Sequence, residues 1–167
     1  MSLFPALVKE HSRSRSGYFS KMEKLCSLFF YIAIVVAAVF YLLSDWAVPF
    51  LLGEEYASST GVLVVHVWAG CFVFLGRPAT KGLIIDNLNQ HYLIVRLLAA
   101  GLNIGLNCLL IPQIGIMGAA YATLVAYAVA HCFGYALFRP TRPYFLMQLR
   151  AVTRPVRRFL GADAGAK

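Results

Sequence analysis

Leu25–Leu43 reads LCSLFFYIAIVVAAVFYLL, 19 residues without a single charge. A helix needs about 20 such residues to cross the hydrocarbon core of a bilayer. Within that core every backbone polar group must be satisfied internally, so the run is expected to be a membrane-spanning helix. Three further apolar segments follow. Val62–Gly76 reads VLVVHVWAGCFVFLG, Leu93–Ile111 is interrupted once by Arg96, and Ile116–Phe138 reads IMGAAYATLVAYAVAHCFGYALF.

The predicted fold class is therefore all-α, a polytopic membrane helical bundle of four transmembrane helices. Their spans are about 25–43, 62–85, 93–111 and 116–138, after an opening segment 1–24 and before a basic tail 139–167. Composition agrees: 60% of residues are hydrophobic and 13% charged, which excludes a disordered chain and is unusual for a soluble domain. With 167 residues, four crossings leave no room for a separate catalytic domain. The opening segment is not a signal peptide, because its charges follow a short apolar stub.

Charge sets the orientation. Met1–Lys24 carries 5 basic and 2 acidic residues, Ser44–Gly61 carries 3 acidic and no basic ones, and Arg139–Lys167 carries 7 basic residues and only Asp163. Arg77 and Lys81 lie in the second connection, while Pro112–Gly115 is uncharged. Basic and non-basic connections alternate, so the positive-inside rule predicts both termini in the cytoplasm. Pro112 is expected to stop the third helix and Gly115 to release the chain into the fourth, giving a tight antiparallel hairpin. The tail RPTRPYFLMQLRAVTRPVRRFL mixes apolar residues with spaced arginines. It reads either as a segment lying on an anionic leaflet or as a plain topology-setting tail.

Ionisable groups in an apolar segment are costly, so they point to function. Val62–Gly76 alone rises about 22 Å, short of the roughly 30 Å core, so the second helix must run past Arg77 and Pro78 towards Ile85. His66, Gly70, Arg77 and Lys81 then share one face. That face is either a cationic wall for an anionic substrate or a pair of side chains snorkelling to the headgroups. On the third helix Arg96, Asn103 and Asn107 form a stripe. The asparagines must bond another helix or line a wet cavity. Gly101 and Gly105 form a GxxxG that would admit a close neighbour, and Gly118, Ala122, Ala126, Ala130 and Gly134 form a small-residue packing seam on the fourth helix. Asp45 reads as an interfacial cap.

No catalytic constellation is readable, and an enzyme is not expected. The four histidines show no metal-ligand spacing, and Cys26, Cys71, Cys108 and Cys132 read as packing thiols. No metal or cofactor is expected.

Gly101–Tyr127, GLNIGLNCLLIPQIGIMGAAYATLVAY, resembles the late-helix signature of bacterial polysaccharide flippases: an N-x-x-L-N helix, a leucine/isoleucine–proline end, a short turn, then G-x-x-G-A-A-x-A-T. Leu3–Glu10 (LFPALVKE) is similar to the end of an earlier helix, Val48–Leu63 to the outer loop P-x-x-L-L-G-x-x-Y, and Phe138–Leu149 to the basic exit after the last helix. These flippases share a superfamily, the multidrug/oligosaccharidyl-lipid/polysaccharide (MOP) exporters, with MATE drug exporters and lipid II flippases. The resemblance implies that these helices are equivalent to the last four of a twelve-helix MOP-type transporter in the bacterial cytoplasmic (inner) membrane. The chain then begins inside the eighth helix and is truncated, or works with a partner carrying the missing N-terminal lobe. It also implies an undecaprenyl-pyrophosphate-linked oligosaccharide as cargo. Arg77, Lys81 and Arg96 would serve the diphosphate and Asn103 and Asn107 the sugar hydroxyls, with the lipid bilayer as the other partner and no nucleic acid. Asp45 and Asp86 are the acidic candidates for ion coupling. Alternatives are a MATE-like exporter, which should carry acidic groups deep in its C-terminal helices, and a non-transporting four-helix assembly protein.

Overall fold

The computed structural model describes residues 11–159, so Leu3–Glu10 and the end of the tail lie outside it. The described residues form helices joined by short turns, with no strand among them. Three helices are long and apolar enough to cross a membrane, and a fourth apolar helix is shorter. The described residues thus form an all-helical bundle whose length and composition are those of a membrane-embedded protein.

The first helix, α1, spans Arg15–Leu52, 38 residues, or about 57 Å at 1.5 Å per residue. It is longer than the expected 25–43 at both ends. Ser14 caps it by accepting a hydrogen bond from the Gly17 N–H at 3.2 Å, so the basic stretch Arg15–Lys24 is helix rather than loop. Gly53, at φ 106°, ends it. A 3-10 turn, Glu54–Ser59, leads into α2, Thr60–Ile85, which runs through Pro78 as expected. After a turn in which Asn87 adopts φ 57°, α3 covers Asn89–Ile114. Asn is among the few non-glycine residues that tolerate this region.

Two boundaries correct the sequence reading. Pro112 does not stop α3: the helix continues to Ile114, and Gly115 at φ 61° makes the turn alone. The fourth helix, α4, covers only Ile116–His131, 16 residues, before a 3-10 turn at Phe133–Ala136. Side chains take over the freed carbonyls there. Gln148 Nε2 donates to His131 O at 2.8 Å, and Thr141 Oγ1 donates to Tyr135 O at 2.7 Å. The expected helix 116–138 is thus a shorter helix plus a tightened end.

The tail forms α5, Arg142–Phe159. Tyr144, Met147, Gln148 and Ala151 recur at helical spacing and are buried against Tyr18, Met22 and Cys26 of α1 and Leu75, Ala79 and Leu83 of α2. The face of the tail that carries these residues is therefore filled by protein. Leu146, Leu149, Arg142 and Arg150 remain exposed on the other side.

Small residues decide the close approaches. Gly118 abuts the Leu110 backbone, where an added Cβ would come within 2.5 Å of the Leu110 carbonyl carbon, and Ala122, Ala126 and Ala130 are buried beside it. Gly134, expected to continue this row on the same helix, lies instead in the 3-10 turn beyond it. Among the described residues the GxxxG makes no contact: Gly101 and Gly105 are exposed and nothing lies within 4 Å of an added Cβ at either. Three cysteines are buried, whereas Cys108 is exposed on α3.

Candidate functional site

Helix α4 lies between α2 and α3, which barely touch each other, so a recess opens between them over its surface. Val73, Arg77 and Thr80 of α2, Tyr92 and Arg96 of α3, and Tyr127 and His131 of α4 line about 380 Å³ of space. A second recess of about 300 Å³ adjoins it, sharing Arg96 and Tyr127 and continuing along Ala99, Asn103, Thr123 and Ala126.

The two arginines arrive by ordinary helical phase. Arg77 stands eight residues before the end of α2 and Arg96 seven after the start of α3, so both lie about 10–12 Å from the turn that joins the helices. Val95 and Ala99, the neighbours of Arg96 in sequence and one turn on, are buried. Their packing fixes the rotation of α3 and turns Arg96 into the recess.

Arg96 is held from two sides. Its guanidinium carbon sits 4.9 Å from the Tyr92 ring centroid, a cation–π contact. Its Nη1 donates to His131 Nε2 at 2.9 Å, and Nη2 stands 3.2 Å from His131 Nδ1. Arginine can only donate, so the ring nitrogen it bonds is bare and the imidazole is neutral. The remaining ring N–H therefore meets no acceptor on Arg96. The Arg96 Nε is also buried without a hydrogen-bond partner. Among the described residues lining the two recesses there is no carboxylate. Donors and positive charge thus converge on a space that supplies no anion of its own.

His131 is fixed from behind. The Gly76 backbone of α2 lies so close that an added Cβ would meet His131 Cβ and Nδ1 at 2.8 Å. Gln148, fully buried, bonds His131 O and also reaches Leu75 O at 3.4 Å, tying α5 to α4 and α2 behind the recess.

The structure thus brings together Arg77, Arg96 and Asn103. Lys81, one turn below Arg77 and exposed like it, is not among the residues that line the recess. His66 is also outside: its Nδ1 lies 3.0 Å from the Val62 carbonyl of its own helix. Asn107 donates to Asn103 Oδ1 at 3.1 Å, a bond along one helix rather than between helices, and its own Oδ1 is buried and unpartnered. Asp86 is engaged elsewhere, at 2.7 Å from His11 Nε2 and 3.2 Å from Arg15 Nη2, with a side chain only 7% exposed. It ties the start of α1 to the α2–α3 turn.

Tyr92, Tyr127, His131 and Gln148 were missed from the sequence. Tyr127 and His131 sit four apart, which places both on one side of α4 next to the alanine stripe. Gln148 is a lone amide on the apolar face of the tail. Both were readable as intramembrane or core polar groups in need of partners.

No family model, curated protein or solved structure matches the chain. The first recess is lined by the cationic Arg77 and Arg96 with His131, and the adjoining one by the polar Asn103 and Thr123.

Proposed function

We propose that the chain is part of a flippase that moves an undecaprenyl-pyrophosphate-linked oligosaccharide across the bacterial inner membrane. The observation that carries this reading is the pairing of Arg77 and Arg96 in one acid-free recess, with Arg96 Nε buried and unpartnered. Arg77 is exposed at the helix surface and Arg96 is half-buried, and a charge at membrane depth without a counter-ion is costly, so a site of this kind favours a ligand that brings negative charge. A diphosphate is such a ligand, and it cannot enter hydrocarbon uncompensated. The adjoining recess beside Asn103 suits the first sugar. The sequence resemblance supplies the identity of the cargo. It also supplies the partner, an N-terminal lobe facing the open side of the recess between α2 and α3.

A MATE-like exporter of cationic drugs fits less well, since the described lining residues are basic or neutral. The test is complementation of a flippase-deficient strain. The chain fused behind a matching N-terminal lobe should restore surface polysaccharide, whereas the chain alone should not. Within that fusion, Arg77→Ala and Arg96→Ala should abolish export while membrane insertion persists. Undiminished export in both variants would remove the recess from the substrate path.

A further inference from the structure

We propose that His131 is a third ligand for the anion, and that it takes up one proton when the anion binds. The inference rests on the anion-site reading above and adds to it a residue and a linked proton.

Arg96 Nη1 occupies the lone pair of one ring nitrogen, which keeps the imidazole neutral. An anion entering the recess changes what Arg96 faces. Its oxygens are better acceptors for a guanidinium than an imidazole nitrogen is, because a bond between two charged groups is about twice as strong as a neutral one. Arg96 turns to the anion, the ring nitrogen is released, and a proton from solvent fills it. The imidazolium then presents N–H groups to the same anion. The groups around the ring include no carboxylate: Arg96 and Tyr92 on α3, Arg77 and Thr80 on α2, Tyr127 on α4, and Gln148 of α5, whose bond goes to the His131 carbonyl rather than the ring. Tyr127 meets the ring edge-on at 5.8 Å between centroids, and Gly76 bars movement towards α2. The ring is therefore held in place for either role, with only its proton free to change.

The experiment uses the full chain in detergent with inorganic pyrophosphate as probe. Binding is measured by calorimetry between pH 6.5 and 8.5 in buffers of different ionisation heat. Wild type should bind with net uptake of about one proton more than His131→Gln, and its affinity should fall about tenfold more steeply per pH unit, as linkage to a single proton requires. Pyrophosphate's own titration is common to both proteins and cancels in that comparison. Independently of any variant, ¹⁵N-histidine spectra of wild type should show one ring passing from two inequivalent nitrogens to the imidazolium pattern as pyrophosphate is added. Binding with the same proton count in both proteins, or with every ring unchanged, overturns the role of His131 while leaving the anion site standing. No pyrophosphate binding by wild type overturns the anion site itself, and this inference with it.

Discussion

At the scale of single residues, the glycines separate contact from sequence pattern. At Gly82 an added Cβ would strike the Tyr144 ring and lie 2.9 Å from both Met22 Cε and Tyr18 OH, all in the packed end of the bundle. Gly82→Ala should therefore cost about 1–3 kcal/mol, the usual penalty of overpacking, seen as a lowered melting temperature of the detergent-solubilised chain. Gly101→Ala and Gly105→Ala should be neutral, or stabilising by up to about 1 kcal/mol through helix propensity, because nothing lies within reach of either. A GxxxG is legible as letters, yet whether a neighbour uses it depends on the rotation of the helix. Here Val95 and Ala99 fix that rotation, and they carry the glycines away from α4. The same rotation made Arg96 legible as a site residue, since it stands on the face that Tyr92 and Asn103 share. Lys81 stands one helical turn from Arg77 and is exposed like it, but Arg77 lines the recess and Lys81 does not.

At the scale of elements, the tail helix is what the sequence described least well. Its mixture of arginines with Tyr144, Met147 and Ala151 suits a lipid surface or a protein groove equally, and periodicity alone cannot choose between them. The groove exists because α1 extends past the membrane run and, with the end of α2, offers Tyr18, Met22 and Leu83 to the tail. Burial pushes the Tyr144 hydroxyl well above the usual phenol range, so it stays neutral there. Gln148 is the polar tie in this interface, and Gln148→Leu would leave the His131 and Leu75 carbonyls without their side-chain donor. A stranded buried acceptor costs about 1–3 kcal/mol. The variant should accordingly show a lower melting temperature and faster proteolysis within Arg142–Phe159, measured by limited trypsin digestion. At the other side of the same end, Asp86→Asn weakens the links to His11 and Arg15. Arg15 is largely exposed, so the loss should be only about 1 kcal/mol, and smaller in high salt.

At the scale of the molecule, the run Leu25–Leu43 decided more than any motif, because hydrocarbon leaves a helix as its natural solution for a single segment. Helix lengths were then legible to within a few residues for α2 and α3. They were not for α1 and α4, whose ends are set by Ser14, Gly53 and the side-chain bonds beyond His131. Orientation rests on charge alone: acidic Glu54 and Glu55 lie in the exposed turn after α1, while Arg77, Lys81 and Arg96 cluster about the opposite end of the bundle. On the proposed reading, with the positive side inward, the recess would open towards the cytoplasmic half, the side from which the proposed diphosphate cargo would enter. The expected outcome is specific. In a cysteine-free background, Glu55→Cys should react with a membrane-impermeant maleimide applied to intact spheroplasts. Asn87→Cys and Arg139→Cys should react only after lysis. Glu55→Cys protected and Asn87→Cys labelled in intact cells would invert the bundle, place Arg77 and Arg96 at the outer leaflet, and turn the proposed site from an entrance into an exit.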